Sequence, residues 1–502
     1  NNADFMQFTN LTVPDAITPT SFTDKSIIPV PYKKNLNSVY ALLSVGYKGY
    51  LYLDATVRND AYSTLNKDYV YPSLSSSFVF SDAFKLSKKV LTMGKLRAAI
   101  SEVASDTDPY LLDLYYSVNP LSFNGMSYGG LNTARMPNAN LLPTRTRSWE
   151  IGTELKFFEN RIGLDVTYYN QRSRDQINNV PSPFSSGFST RMINAGVVSN
   201  KGIEVLLTAS PVAKKDFKWD VSFNFARNVN KVESLADGVP FLTLSEARWM
   251  GVAVIAKPGE NYGSILSFDY QKDPNGNVIL DPTTLLPLQS DERQVVGKGI
   301  YDWTGGVSNT VYFKNFSLSA LIDVKFGSDL FSMTNLFAAS RGSLNTTLAG
   351  REEWIASEEE RQAQGYTLDQ WKAIGKVRGL VPEGVVKDEN GNFVKNTKAV
   401  DPSVYWPQIV SSGGVARPYI YSGTYVKMRE ITLGYTIPER ISAKWGVRNI
   451  QVALVSRNPF ILFSDVPNVD PDSNYNNGNG QGLEYGSLPT RRSWGFNLNF
   501  KF

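Results

Sequence analysis

Oxygen-bearing side chains at alternate positions make the turn-rich segment 470–482 the first place to look for metal chemistry. Asp470, Asp472 and Asn474 stand two residues apart, as the first ligands of calcium-binding loops do. No bidentate Glu follows at the spacing that such loops need, although Glu484 lies further on. The segment is therefore a weak calcium candidate, and a solvated loop tip is the simpler interpretation.

Three carboxylates that stand close to basic residues raise the question of acid–base chemistry. Glu150, Glu154 and Asp165 lie among Lys156 and Arg161, and paired carboxylates can hydrolyse glycosides. The chain contains no His and no Cys, which excludes Ser–His and Cys–His hydrolases as well as thiolate sites. Charges of both signs are also the ordinary lining of a polar barrel lumen. We therefore expect neither an enzyme nor a bound cofactor.

Aromatic side chains in the long connections are the candidates for contact with a substrate. Trp and Tyr stack on sugar rings and pack against peptide side chains, although packing between loops is the alternative for each of them. The candidates are Trp249, Trp354, Tyr405, Trp406, Tyr419 and Tyr421, and Trp371 lies in the same connections.

Strict alternation of apolar and polar residues identifies the elements that must position these side chains. It is clearest in 162–168, 217–225, 316–326 and 494–502, where every second residue is apolar. The runs extend over about 9–13 residues, the length that a tilted strand needs to cross a bilayer, whereas strands of soluble sandwiches average about 5–6. Mean hydropathy is only −0.24, as expected when half of each strand faces a polar lumen. The pattern predicts an all-β, antiparallel transmembrane β-barrel.

The lengths of the connections predict the topology of this barrel. Tight joints alternate with long ones, which is typical of outer-membrane barrels with short periplasmic turns and long extracellular loops. The long joints are 105–146, 173–200, 230–301, 328–424 and 463–491. The predicted strands, about thirteen in number, are 37–47, 50–60, 71–82, 93–104, 147–157, 161–172, 201–210, 217–229, 302–313, 316–327, 425–437, 450–462 and 492–502.

An odd number of strands indicates that residues 1–502 do not form the whole barrel. An open sheet leaves two edges of unpaired N–H and C=O groups, which lipid does not tolerate, and single-chain bacterial barrels have an even count. Large plugged transporters have about 22 strands. Residues 1–502 are thus expected to be the C-terminal portion of one barrel, with segment 1–36 extracellular and with the first strands and an export signal outside this chain.

Further local patterns add detail. Ser357 with Glu360 and Thr367 with Gln370 read as two capping boxes and predict helix within 357–374. Residues 273–276, Asp-Pro-Asn-Gly, predict a turn that closes a hairpin in a loop. A net charge of +4 is too balanced to indicate a nucleic-acid partner.

The C-terminal segment resembles the signal by which barrel-assembly machinery recognises outer-membrane substrates. It is an edge strand with one apolar face and free backbone groups, which suits β-augmentation. An ordinary last strand is the alternative. The residues of this pattern are Ser493, Gly495, Leu498, Phe500 and the terminal Phe502.

Several longer blocks resemble the SusC-like family of TonB-dependent outer-membrane transporters, in the family's order and across nearly the whole chain. The block 138–177 has the family's Asn…Glu…Gly…Phe…Arg…Tyr–Tyr spacing, although Thr144 and Arg145 replace its usual Trp–Glu pair. The other blocks are NAGVVSNKGIEVLL from Asn194, NVNKVESL from Asn228, KPGENYGSI from Lys257, YVKMREITLGYTIPERI from Tyr425 and VALVSRNPFIL from Val452.

The resemblance implies the C-terminal half of a 22-stranded barrel that imports oligosaccharides or peptides. Family members carry an N-terminal plug and a contact segment for TonB, and a SusD-like lipoprotein covers the extracellular mouth. A TonB-dependent siderophore or cofactor receptor and a passive, porin-like barrel are the alternatives. Porins lack loops of about 70–95 residues, and the NAGVVSNKG and ITLGYT blocks argue against a siderophore receptor.

Overall fold

A single large sheet organises the chain. The computed structural model describes residues 3–12, 18, 21–30, 32–118, 129–131, 134–248, 251–411, 415–476 and 478–501. Within them, thirteen strands form one antiparallel sheet in which each strand pairs with the next along the chain. No helix among the described residues is both long and apolar enough to cross a membrane.

The strands of this wall are longer than those of most soluble sheets, and the predicted count of thirteen is confirmed. Their bounds are β1 Leu36–Tyr47, β2 Leu51–Tyr62, β3 Tyr69–Phe78, β4 Leu91–Ser105, β5 Thr144–Phe157, β6 Ile162–Arg174, β7 Val197–Lys214, β8 Phe217–Ser234, β9 Trp303–Phe313, β10 Phe316–Phe326, β11 Tyr425–Ile437, β12 Asn449–Ser464 and β13 Ser493–Lys501. The backbone groups inside the wall are satisfied strand by strand, as a membrane requires.

The two faces of the wall differ in chemistry. Large apolar side chains of one face are exposed, among them Ile151 (56%), Phe316 (52%) and Phe496 (70%). The opposite face carries ion pairs between strands, such as Arg97 of β4 with Asp165 of β6 at 2.7 Å. Apolar side chains that stay exposed in a regular sheet are the expected lipid-facing band, and the charged face is the lumen. Phe316 and Leu318 do not pack into a closed core.

One luminal position shows why the strands carry glycine. Gly152 of β5 lies opposite Arg97 of β4 and Thr167 of β6, and a Cβ at this position would lie 2.7 Å from Arg97 Nε. Only glycine leaves room for the guanidinium to reach across β5 to the next strand.

The periplasmic connections contain more structure than the alternation predicts. The predicted strand 71–82 is too long, because the chain turns into the short helix α1 (Phe80–Ala83) directly after β3. The turn between β11 and β12 likewise holds a helix, Glu439–Ser442. Helical turns interrupt the period of two, so alternation alone misplaces the end of the strand.

The long connections carry their own small sheets. The four-stranded one is formed by Leu242–Glu246, Ala253–Ala256, Ser264–Ser267 and Gln294–Lys298. Two three-stranded sheets combine Ile177–Pro181, Thr190–Asn194 and Arg135–Met136, and Asp329–Ser332, Ile420–Ser422 and Leu483–Glu484. Two-stranded sheets pair Tyr116–Val118 with Gly129–Leu131, and Val385–Lys387 with Phe393–Lys395. Segment 1–36, predicted only as an extracellular segment, contains the hairpin Ala3–Leu11 with Phe22–Val30.

The described part of the connection between β10 and β11 contains four α-helices: α2 (Met333–Ser340), α3 (Arg351–Ala363), α4 (Leu368–Ala373) and α5 (Pro402–Ser411). The predicted capping box of Thr367 and Gln370 begins α4. The other predicted box is wrong, since Ser357 lies inside α3, where its buried hydroxyl accepts a hydrogen bond from Trp371 Nε1 at 3.0 Å. The predicted turn at 273–276 is confirmed by the hydrogen bond from Gly276 N to Asp273 O, 3.0 Å.

The assignment of faces predicts opposite effects for two neighbouring residues of β8. Phe223 belongs to the lipid-facing set and Ser222 faces the lumen, where it is partly buried. Phe223→Arg should destabilise the folded protein by about 2–4 kcal/mol if the residue lies near the bilayer midplane, because a guanidinium is costly in lipid. Ser222→Arg is the matched control and should cost much less. Urea unfolding of the full-length protein in lipid vesicles measures both, and equal costs would contradict the assignment.

Candidate functional site

Three long connections pack into one layer on the extracellular side of the wall. They are 235–302, 327–424 and 465–492, and they share a hydrophobic core. Its fully buried members include Val254, Ile265, Phe331, Leu336 and Leu483, which come from all three connections. A shared core makes the connections one folded unit, which we name the loop layer, rather than separate mobile loops.

The backbones of two connections meet at a glycine contact within this layer. A Cβ on Gly299 would lie 2.3 Å from the carbonyl oxygen of Gln481, and Gly482 adopts φ +87° in the same contact. A side chain at Gly299 would force the two backbones apart. The contact fixes the four-stranded loop sheet against the segment that precedes β13.

Glu484 joins the same segment to the start of α2. Its carboxylate is fully buried and accepts hydrogen bonds from the Ser332 hydroxyl (2.8 Å), from the Thr334 hydroxyl (2.7 Å) and from Thr334 N (3.2 Å). Carboxylates are favourable at a helix N-terminus because the first N–H groups have no partner within the helix. Glu484 therefore satisfies α2 instead of closing a calcium loop.

A buried ion cluster ties the loop layer to the luminal face of the wall. Lys427 of β11 is only 3% exposed and pairs with Asp470 and, at 2.8 Å, with Asp472. Arg429 pairs with Asp472 at 2.6 Å and with Asp323 of β10 at 2.5 Å. The tight packing of cations against carboxylates offsets the cost of removing both from water.

The carboxylates of the cluster that lie in the loop are held ionised. Burial raises the pKa of Asp472, but hydrogen bonds from Arg429 and Lys427 outweigh it and hold this pKa well below its usual range. Burial likewise opposes ionisation of Asp470, and the Lys427 ammonium with the Thr490 hydroxyl lowers its pKa. Both groups therefore stay charged over the physiological range of pH.

The calcium candidate is placed differently from either sequence interpretation. Asp470 is 8% exposed, so it does not belong to a solvated tip, whereas Asn474 is exposed. The Lys427 and Arg429 side chains lie where a cation would have to sit, and they neutralise Asp470 and Asp472. The described residues contain no group of three or more acidic side chains arranged to hold a metal ion.

Three of the six aromatic candidates contribute to the core of the loop layer. Tyr419 (4% exposed) belongs to its core, and Trp406 and Tyr421 pack against it. Tyr405 is 8% exposed, and burial raises the pKa of its phenol to about 12. Trp371 is fully buried beneath α3, and Trp249 lies outside the described residues. The structure thus favours the loop-packing interpretation for Tyr419.

Trp354 is the aromatic candidate that lines two cavities at once. It lines a cavity of about 670 Å³ between α3, α4, α5 and segment 282–285, together with Tyr405, Lys372 and Asp401. A second cavity of about 490 Å³ shares Trp354 and Asp401 and adds Trp406. Ligand sites usually have such volumes, with apolar walls and a few polar groups.

The luminal carboxylates are paired with cations across the strands. Lys95 Nζ lies 2.5 Å from Glu154, and Lys156 lies 3.2 Å from the same carboxylate. Asp165 receives both arms of the Arg97 guanidinium, at 2.7 and 2.8 Å. Glu154 and Asp165 therefore act as charged wall positions, in keeping with the expectation of a polar lumen.

The last strand presents the residues of the assembly pattern on an exposed edge. Ser493, Gly495, Leu498 and Phe500 lie on β13, and all four are exposed. Among the described residues β13 pairs only with β12. Phe502 lies outside the described residues. A role in assembly stays a prediction.

The ion cluster is the functional feature that sequence reasoning missed. Lys427 and Arg429 stand two residues apart in a strand and so share its luminal face, which is a signal that the sequence contains. Their partners lie about 40 residues further along, in the segment interpreted as a calcium loop or a solvated tip. A pairing over this distance follows only from the three-dimensional fold.

The cluster predicts a strong effect for Lys427→Met. The substitution leaves Asp470 buried without its cation, so unfolding should become easier by about 3–5 kcal/mol. The segment 465–492 should also become open to proteases on intact cells. Lys444→Met, in the exposed turn between β11 and β12, is the matched control, and adding Asp470→Asn to Lys427→Met should restore part of the loss. An effect no larger than that of the control would show that the cluster is not what holds the loop.

Comparison with known proteins finds relatives that are TonB-dependent receptors. TonB-dependent receptor P3 of Formosa agariphila is 24% identical over 498 residues, which cover 93% of this chain and 45% of that protein. TonB-dependent receptor SusC of Bacteroides thetaiotaomicron is 27% identical over 287 residues, 53% of this chain and 28% of that protein. The chain spans about half the length of relatives such as P3.

The fold is shared with a solved transporter. The structure of the RagAB peptide transporter superposes with a TM-score of 0.70 at 17% identity, over 97% of this chain and 50% of that chain. The family described as TonB dependent receptor-like, beta-barrel, matches residues 1–320. The predicted resemblance to SusC-like receptors is thus confirmed: the chain belongs to the family of TonB-dependent receptor β-barrels of the bacterial outer membrane.

Proposed function

We propose that this chain is the C-terminal portion of the barrel of a TonB-energised importer for oligosaccharides or peptides. The observation that carries the proposal is the loop layer, which folds around one core and is anchored to the luminal face of the wall by the Lys427 cluster. A passive porin needs an open channel, whereas an importer needs walls and loops that capture a ligand before it moves.

The extent of the barrel supports the proposal that further strands complete it. β1 and β13 are the two ends of the described sheet, and each pairs on one side only. Open edges are not stable in lipid, and relatives such as P3 are about twice as long as this chain. We infer that β1 and β13 pair with strands encoded elsewhere in the full-length protein, which also supplies the plug and the contact for TonB. A total of 22 strands remains the expected count.

The cavity beside Trp354 is the candidate for capture of substrate. Its aromatic wall suits the face of a sugar ring or the side chain of a peptide, and Lys372, Asp401 and Gln408 offer hydrogen bonds. RagAB is a peptide transporter, so a peptide is one of the two substrate classes that the relatives suggest. Oligosaccharides and peptides can both be bound by aromatic side chains that are surrounded by hydrogen-bonding groups.

The helical part of the loop layer is the candidate for contact with a SusD-like lipoprotein. Large apolar side chains are exposed there, including Leu348 (56%), Ile355 (57%) and Ile374 (50%). A soluble surface seldom keeps such residues close together unless a partner covers them. We infer that the lipoprotein packs against α3 and the segment that follows α4.

The proposed function is tested by uptake in cells that express the full-length protein. Trp354→Ala removes the aromatic wall of the cavity and should weaken binding of the imported oligosaccharide or peptide about tenfold. A lost aromatic contact costs roughly 1.4 kcal/mol of binding free energy, which corresponds to this change in Kd. Trp445→Ala, in the exposed periplasmic turn, is the control and should leave binding unchanged. Labelled oligosaccharide and peptide libraries identify the substrate class. Uptake that persists without TonB would contradict an energised importer.

The contact with the lipoprotein gives a separate prediction. Deletion of 345–400 removes α3, α4 and the exposed apolar side chains, while the core residues of the loop layer lie outside this segment. The variant should insert into the outer membrane normally and should lose lipoprotein in co-purification. The three-residue deletion 389–391, at the tip of the Val385–Lys387 hairpin, is the control. Unchanged co-purification would remove the proposed role of α3 and α4.

A further inference from the structure

An unusual pairing of like charges occurs where β5 and β6 leave the lipid-facing band. In the register of these strands Arg145 lies directly opposite Arg174, and Arg147 lies directly opposite Arg172. Like charges at directly opposed positions destabilise a sheet. Two consecutive Arg–Arg pairs between β5 and β6 therefore require negative charge nearby to offset their repulsion.

The arginines lie on the outward face of the wall. Alternate residues of a strand share a face, so Arg147 lies on the same side as Trp149 and Ile151, and Arg172 on the same side as Tyr168. Ile151 and Tyr168 are exposed and form opposed positions of the lipid-facing band. The four arginines are thus outside the barrel rather than in its lumen.

An aromatic pair marks their level relative to the membrane. The rings of Trp149 and Tyr168 are 5.5 Å apart, and both side chains are partly exposed on the outward face. Trp and Tyr concentrate at the membrane–water interface of such barrels. The arginines follow these rings toward the long extracellular connections, so they lie at the level of the outer-leaflet headgroups.

Two lysines on the next strands extend the positive surface. Lys201 of β7 is opposite Asn170 of β6, and Lys231 of β8 is opposite Ser199, which in turn is opposite Arg172. The same alternation places both lysines on the outward face, and both are exposed. We name this set the rim patch; it consists of Arg145, Arg147, Arg172, Arg174, Lys201 and Lys231.

Carboxylates of the wall and its loops balance only half of the rim patch. Asp175 pairs with Arg145 at 2.5 Å, Glu102 with Arg147 at 2.9 Å and Glu233 with Arg172 at 2.5 Å. Within the described part of the chain, Arg174 and Lys231 form no ion pair with a carboxylate, and Lys201 interacts only at longer range with Glu233, which already pairs with Arg172. Six cations and three carboxylates give an excess of three positive charges at one level of the outer surface.

We propose that the rim patch binds the phosphate-bearing headgroup of an outer-leaflet glycolipid. Guanidinium groups bind phosphate through two parallel hydrogen bonds, and cations near a membrane surface attract anionic lipid headgroups. The patch lies directly above the lipid-facing band, at the level where the outer leaflet supplies anionic headgroups to the cations that the three carboxylates do not balance. A phosphate between the opposed arginines would replace their repulsion with attraction.

A second copy of the chain fits this surface less well. In a symmetric dimer the same patch faces itself, so the six cations of each copy would meet those of the other. Like charges brought together at an interface cost free energy and suppress association. A lipid headgroup carries the opposite charge and meets no such penalty.

The test uses the full-length protein in detergent with purified lipid A as the probe. The double variant Arg174→Gln with Lys231→Gln removes two cations that lack a carboxylate partner, so the three ion pairs of the rim patch remain. The expected result is lipid A binding at least tenfold weaker than in the unchanged protein, with a smaller difference at high salt. Arg440→Gln with Arg448→Gln removes two exposed cations from the periplasmic turn and should leave binding unchanged.

Three further measurements decide the outcome. Heat-modified mobility on a gel must be the same for all variants, which shows that the barrel is folded. Dephosphorylated lipid A should bind the unchanged protein at least tenfold more weakly, and inorganic phosphate should not compete at millimolar concentration. Equal binding of both forms of lipid A, effective competition by free phosphate, or an altered oligomeric state with unaltered lipid binding would each overturn the proposal.

Discussion

The structure depends on one constraint: inside lipid, every backbone N–H and C=O group must find its partner within the protein. Between its two ends the described sheet meets this constraint with a continuous antiparallel ladder, in which each strand pairs with its neighbours along the chain and only β1 and β13 pair on one side. Because side chains alternate across a strand, the same ladder gives an apolar outer face and a polar lumen. The charged pairs of the lumen, such as Arg97 with Asp165, are tolerable only because they face away from lipid.

A rigid wall of this kind lets the long connections fold as a unit on its extracellular side. The loop layer has its own buried core, and the Lys427 cluster anchors it to two strands at once. Glu484 and the contact of Gly299 with Gln481 fix the segment before β13 against the other two connections. The position of the Trp354 cavity thus follows from packing and charge pairing rather than from loop sequence alone.

The sequence predicts the wall much better than the loop layer, and the reason is physical. Alternation in segments such as 217–225 is imposed by the lipid on one side, so it can be recognised within a short stretch of sequence. The placement of Asp470, which lies in a loop, depends on its ion pair with Lys427 of β11, and no local sequence pattern shows this pairing. Aromatic residues in loops were equally ambiguous: Tyr419 belongs to a core and Trp354 to a cavity wall, although both are aromatic residues of the same connection.

The central claim is that the outward face of this sheet lies in lipid, and spin labels placed along β8 test it most directly. The chain contains no Cys, so single cysteines at positions 217 to 225 can be labelled one at a time in the full-length protein, after any cysteine elsewhere has been replaced. In lipid vesicles, collision with oxygen should peak at Phe217, Trp219, Val221, Phe223 and Phe225, and collision with a water-soluble nickel complex should peak at the residues between them. Accessibility without a period of two, or with the two reagents reversed, would contradict the account.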